Sequence, residues 1–136
     1  MDSNVYIFFN GTCEEAFNFY AQCFGAKIEA LARYAQMPGN DPALVNWREK
    51  IMHGSIMVGD TAVMGSDAYP GRYEKPQGMR VTLTLDSPAE AERVFGAMSA
   101  GGTVTMPLQE TFFAKRFGML TDRFAIPWMI MSGTAS

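Results

Sequence analysis

Only one histidine and two cysteines occur among the 136 residues, and that scarcity narrows the chemistry before any motif is read. Catalytic zinc takes about three protein ligands, so a metal centre here would have to be built largely from carboxylates. Cys13 and Cys23 fall on one expected helix, about 15 Å apart at the helical rise, too far to bridge. Cys23 belongs to an apolar stripe and reads as a small core residue. Cys13 sits in a first turn, where a helix N-terminus lowers a thiol pKa, but no histidine lies near it in sequence to complete a reactive pair. A basic surplus is missing too. Eleven Lys and Arg against 14 Asp and Glu leave a net charge of −3, which argues against a nucleic-acid surface. No apolar run approaches the roughly 20 residues that span a bilayer. The opening MDSNVYIFFNG carries an acidic residue in place of a basic n-region, and its apolar stretch is short for a signal peptide. The expectation is a cytoplasmic protein with no nucleic-acid or membrane partner.

What is present is an ordinary globular composition, 48% hydrophobic and 18% charged, in a single domain's length of chain, 1–136. Eleven methionines read as plastic core filling, with an adaptable apolar pocket as the sharper alternative. The organising stretch is SPAEAERVFGAM, residues 87–98. Ser87 suits the cap, Pro88 the first helical position, and Glu90 the third position of a capping box. Ala91, Val94, Phe95 and Met98 form one apolar stripe. The pattern recurs from Thr12, with Glu15 in the box, Ala16, Phe19, Tyr20 and Cys23 in the stripe, and Gly25 matching Gly101 at the stop.

Around each helix the same order of strands is expected. In the first half these are Val5–Phe9, Lys27–Tyr34, Ile51–Val58 and Thr61–Met64, with a hairpin turn at Gly59-Asp60 and a long loop over Gln36–Lys50. In the second they are Met79–Leu85, Val104–Gln109, Lys115–Thr121 and Pro127–Ser132. The chain thus reads as α+β, two βαβββ modules over 4–65 and 78–132 with a linker over 66–77. A helix on one face of each small sheet leaves the other face free to line a cleft.

This duplicated order resembles the vicinal oxygen chelate superfamily, the fold of glyoxalase I, extradiol dioxygenases and bleomycin-resistance proteins. The stretches MPLQETFFAKRFGMLTDRF and KIMHGSIMVGD are similar to its PhnB-like branch, often labelled 3-demethylubiquinone methyltransferase domains. The resemblance implies a glyoxalase/bleomycin-resistance-like open curved sheet around a cleft, and a homodimer. It also implies a divalent metal held from the first and last strand of each module, typically by two histidines and two glutamates. Shifting the second module onto the first by the helix spacing puts Val5, Ile7 and Phe9, with Arg80, Thr82 and Thr84, on the cleft side. None is a usual ligand, and neither Ala62, Val63 and Met64 nor Trp128, Met129, Ile130 and Met131 supplies one. No metal or other cofactor is expected, except through a non-standard site.

His53, with Asp67 or Glu49 to orient it, is either a strand histidine bonded to a neighbour or a proton-transfer group. Glu110 is either a solvated or paired loop acid or a general base, and Lys115 and Arg116 read likewise as solvated or paired charges. Arg80 either pairs with a carboxylate such as Glu110 or binds an anionic ligand group. Thr82 and Met64 are candidate ligand-binding residues, Phe113 and Trp128, with Phe112, are core or cleft wall with the first two as candidate ligand contacts, and Trp47 is the candidate lid of the long loop and a further ligand contact. Methyl transfer is not expected, because Gly101-Gly102 follows a helix and no glycine-rich strand-to-helix turn exists. Three readings stay open: a metal-independent binder of, or enzyme on, a small organic molecule; a metal-dependent isomerase, lyase or dioxygenase built on His53 with Glu110 or Asp67; and sequestration of a drug or metabolite.

Overall fold

The computed structural model describes residues 1–133. The chain divides into two compact units, Met1–Glu74 and Lys75–Ser136. The first contains β1 (Val5–Phe9), α1 (Cys13–Phe24), β2 (Lys27–Arg33), β3 (Ile51–Val58) and β4 (Thr61–Asp67). The second contains β5 (Val81–Leu85), α2 (Pro88–Ser99), β6 (Thr103–Gln109), β7 (Arg116–Thr121) and β8 (Pro127–Ser132). Each unit is βαβββ, as the repeat implied. The sheets are four-stranded, ordered β1-β4-β3-β2 and β5-β8-β7-β6. In each, the first and last strands run parallel and the remaining pairs antiparallel.

Helix placement follows from room made on the sheet. In the first unit Gly54 and Gly65 are cross-strand partners on β3 and β4. A Cβ at either would stand 3.1 or 3.0 Å from the Phe17 ring, so the missing side chains form the slot that Phe17 fills. The buried stripe of α1 is therefore Cys13, Ala16, Phe17, Tyr20 and Cys23. Phe19, expected in that stripe, is only half-buried. In the second unit Gly118 does the same for Phe95, whose Cε2 would lie 2.7 Å from an added Cβ. There the stripe is Ala91, Val94, Phe95 and Met98, as periodicity predicts. Each large apolar side chain so buried contributes about 1.5–3 kcal/mol, which is what holds each helix to its sheet.

The two helix starts are capped differently. Ser87 Oγ accepts from the Glu90 N–H at 3.1 Å. Thr12 makes no side-chain cap bond. Asp67, at the end of β4, takes its place: Oδ1 accepts from the Cys13 N–H at 2.9 Å and Oδ2 from the Ile51 N–H at 2.7 Å. The helix start, β3 and β4 are thereby tied at one buried carboxylate. Both helices run into a left-handed glycine, Gly25 at φ 78° and Gly101 at φ 77°.

One extra residue separates strand from helix in the first unit. Phe9 reaches Thr12 through Asn10 and Gly11, whereas Leu85 reaches Ser87 through Asp86 alone. Gly11, at φ 88°, absorbs the insertion. The helix spacing is therefore one residue short for the strands, and a one-residue slip exchanges the faces of a strand. Ile7 and Phe9, expected on the open face, lie under α1 at 5% and 0% exposure. Val5, level with buried Val63, shares their side. The open face of β1 is carried by Tyr6 and Phe8 instead, 38% and 52% exposed.

Candidate functional site

The open face of the second sheet holds a depression of about 550 Å³. Its floor and rim include Arg80, Thr82, Met119, Thr121, Pro127 and Met129, with residues 76–79 at the edge. Strand alternation accounts for the set: Leu83 and Ile130 face the helix, so Thr82 and Met129, one residue away and mutual neighbours, face outward. Met119 pairs with Met129 and Thr121 with Pro127 on the same side. Arg80 precedes β5, and its Nη1 donates to the carbonyls of Leu120 and Trp128 at 3.1 and 3.3 Å. Those bonds fix the guanidinium over the sheet while its Nε and Nη2 groups make no hydrogen bond among the described residues. Arg80 forms no ion pair with Glu110, which lies exposed in the turn after β6.

Two aromatic candidates separate. Phe113, 42% exposed, packs edge-on to Phe117 with ring centres 4.9 Å apart and is not part of the depression's lining. Phe112 projects at 93% exposure. Trp128, a candidate wall residue, is wholly buried on the helix side, and its Nε1 donates to Asp122 Oδ2 at 2.8 Å. Its place in the strand puts the indole with Ile130 and Ser132, away from the open face, so it is core and not a ligand contact. Lys115 and Arg116 sit where β7 begins, and Arg116 pairs with Glu92 of α2 at 3.0 Å.

On the first sheet His53 and Met64 lie on the open face with Tyr6. Tyr6 hydroxyl and His53 Nδ1 are 3.1 Å apart, and the two rings stack with centres 5.6 Å apart. Neither Asp67 nor Glu49 orients His53. Asp67 is committed to two backbone N–H groups on the other side of the sheet, and Tyr6 is the partner that sequence reasoning missed. The one-residue insertion hid it, because with the correct shift Tyr6 would have appeared on the open face.

Trp47 is no free lid. Its Nε1 donates to the Ala68 carbonyl at 3.0 Å, and Lys50 Nζ lies 5.7 Å over its ring. Tyr34 and Ala35 N–H groups bond to Lys50 and Arg48 carbonyls, clipping the long loop to the end of β2. Beside it a smaller polar depression of about 300 Å³ is bordered by Glu14, Arg33, Glu49, Lys50 and Asp67. Its charges are mostly consumed internally. Arg33 grips Glu14 with both Nη groups, at 3.1 and 2.9 Å, and that hydrogen bond holds the Glu14 carboxyl below the usual carboxylate range. Lys50 Nζ donates to the Gly11 carbonyl at 2.8 Å. Burial, then the charges of Asp67 and Glu14, push the Cys13 thiol far up, the reverse of a helix-start thiolate.

Among the described residues no group of three or more His, Cys, Asp or Glu side chains is placed to hold a metal ion. Among the described residues no helix is long and apolar enough to cross a membrane.

Residues 2–131 match the family described as 3-demethylubiquinone-9 3-methyltransferase. The chain belongs to that family. Among curated relatives it is 30% identical to Protein YjdN of Escherichia coli K12, over 96% of this chain and 94% of that one. Among solved structures it matches protein PA1353 of Pseudomonas aeruginosa, with a TM-score of 0.88, 43% identity and 97% of each chain covered. The PhnB protein of Bacillus cereus follows at a TM-score of 0.81 and 24% identity, over 98% of this chain and all of that one. At the level of fold alone, a glyoxalase/bleomycin resistance protein/dioxygenase family enzyme of Burkholderia phytofirmans gives 0.67 at 16% identity, 96% of each chain being covered. The family is thus PhnB-like and of glyoxalase fold, with two open sheets of the βαβββ pattern. Neither sheet is the doubly wound parallel sheet of a dinucleotide-type cofactor fold.

Proposed function

We propose that the protein binds a small organic molecule on the open face of the second sheet, with Arg80 holding an anionic or carbonyl oxygen and Thr82, Met119 and Met129 contacting its apolar body. The observation that carries this reading is the state of Arg80: one nitrogen is tied to two backbone carbonyls, and the side chain lines a depression of about 550 Å³ that also includes Met119 and Met129. A pre-positioned guanidinium loses little freedom on binding, and flexible thioethers adapt to an uneven partner. In this reading the site works without a metal ion and without methyl transfer. The lack of a three-donor cluster among the described residues supports the first point. The mixed sheets, each backed by a single helix, support the second. We also read the protein as a cytoplasmic homodimer with neither nucleic acid nor membrane as partner; light scattering coupled to size exclusion tests the dimer.

The test is calorimetric titration of the purified protein with a library of small carboxylates, phosphonates and carbonyl compounds, with and without added divalent ions. At least one anionic member should bind, with affinity unchanged by zinc, manganese or chelator. Arg80→Ala should weaken it about 10- to 100-fold, the usual cost of losing hydrogen bonds to a charged group. Affinity that appears only with a divalent ion, or that survives Arg80→Ala, overturns the proposal.

A further inference from the structure

The first unit carries chemistry that the Arg80 site does not use. Tyr6 and Phe8, two residues apart on β1, present their rings on the open face with centres 5.0 Å apart. Between β1 and β3 runs β4, so the Tyr6 side chain reaches across a whole strand to meet His53 Nδ1. The Tyr6 and His53 rings are inclined by 27°, close enough to parallel to form a shelf, and Phe8 extends it at 43°. All three residues are exposed, and Met64 flanks them from β4. A solvated surface ordinarily hides such rings, and here three of them share one face with a hydrogen-bonding edge at one end.

The hydrogen bond sets what that edge offers. A phenol O–H is the stronger donor of the pair and an imidazole nitrogen the stronger acceptor, which favours the tautomer in which the Tyr6 hydroxyl donates to Nδ1 and Nε2 carries the ring N–H. His53 makes no hydrogen bond from Nε2 among the described residues. The free edge is thus a fixed N–H donor beside an aromatic floor. We propose that Tyr6, Phe8 and His53 form a second ligand site, one that stacks a planar conjugated ring and donates from His53 Nε2 to a carbonyl or ionised hydroxyl oxygen on that ring. Tyr6 is both floor and positioning residue, because it selects the tautomer. A saturated ring cannot stack, and a ring without an acceptor oxygen leaves the Nε2 donor unmatched, so the site discriminates against both.

A single histidine makes the test clean, since its imidazole signals need no assignment. Nitrogen-detected NMR of the full chain should show the proton on Nε2, moving toward a mixed tautomer in Tyr6→Phe. Titration with 4-hydroxybenzaldehyde at a pH where its hydroxyl is ionised should shift the His53 signals saturably. Its saturated analogue, 4-hydroxycyclohexanecarbaldehyde, should not. Tyr6→Phe, which keeps the ring, should weaken the aromatic probe by about three- to tenfold, the range for one hydrogen bond, and Phe8→Ala should weaken it without changing the tautomer. Both residues are exposed, so both variants should keep the wild-type unfolding midpoint. The proposal fails if the proton resides on Nδ1, if both probes act alike, or if the His53 signals move with protein concentration alone, which would give the face to a second copy of the chain. Arg80→Ala should leave these shifts intact, which separates failure here from failure at the other site.

Discussion

Asp67 is 1% exposed yet bonded on both oxygens, and it shows how a single side chain can set the geometry of a unit. Replacing it with alanine strands the Cys13 and Ile51 N–H groups in the interior. Urea unfolding of Asp67→Ala should show a loss of about 2–4 kcal/mol, since each unsatisfied buried donor costs about 1–3. Its counterpart in the second unit is Ser132, which pairs with Leu85 as Asp67 pairs with Phe9. There the helix begins with Pro88, which has no N–H to satisfy, and the buried Ser132 hydroxyl has no hydrogen-bond partner among the described residues. Cys13, beside Asp67, should stay a thiol well into alkaline solution. Iodoacetamide at pH 9 should leave the native protein unlabelled and modify both cysteines after urea unfolding; rapid native labelling would contradict the assignment. For Glu14 the folded pKa lies below the ordinary value, so its stabilising share is present above the usual glutamate range and fades as pH falls through the folded value. Both partners are well exposed, so the effect is small. A profile of the urea midpoint against pH should fall less steeply below pH 4 in Arg33→Gln than in wild type.

At the level of elements, helices sit where strand glycines leave room. Gly118→Ala would drive a Cβ to 2.7 Å from Phe95 and 2.9 Å from the Leu108 backbone. It should lower stability by about 1–3 kcal/mol, the usual cost of overpacking, whereas Gly96→Ala on the exposed helix face should gain some tenths up to about 1 kcal/mol. Thermal unfolding of the two variants checks both signs. Every strand and both helices were legible in the sequence, because alternation, caps and turn glycines are local signals. What was not legible came from a single insertion and from long-range pairing. The run Val5–Phe9 is apolar throughout, so its own pattern could not say which residues face α1, and the module shift borrowed from the helices was one residue out. That error moved Ile7 and Phe9 to the wrong face and concealed Tyr6. For Trp128 the sequence left core and cleft wall both open, because a tryptophan in an apolar strand fits either by composition, and its burial puts it in the core. Phe17 replaced Phe19 because the Gly54–Gly65 pair lies far along the chain from the helix it accommodates.

For the molecule as a whole, two units of the same βαβββ order present different chemistry on their open faces. The first sheet shows Tyr6, Phe8 and His53, and the second Arg80, Thr82 and two methionines. One unit offers rings and an imidazole edge, the other a guanidinium and thioethers. The most direct test of the central claim is amide chemical-shift mapping with the tightest anionic ligand from the titration library. Saturable shifts should concentrate at Arg80, Thr82, Met119, Thr121 and Met129, and vanish in Arg80→Ala at the same ligand concentration. Shifts that centre on the polar depression around Glu14 and Lys50, or that persist unchanged without the guanidinium, would contradict it.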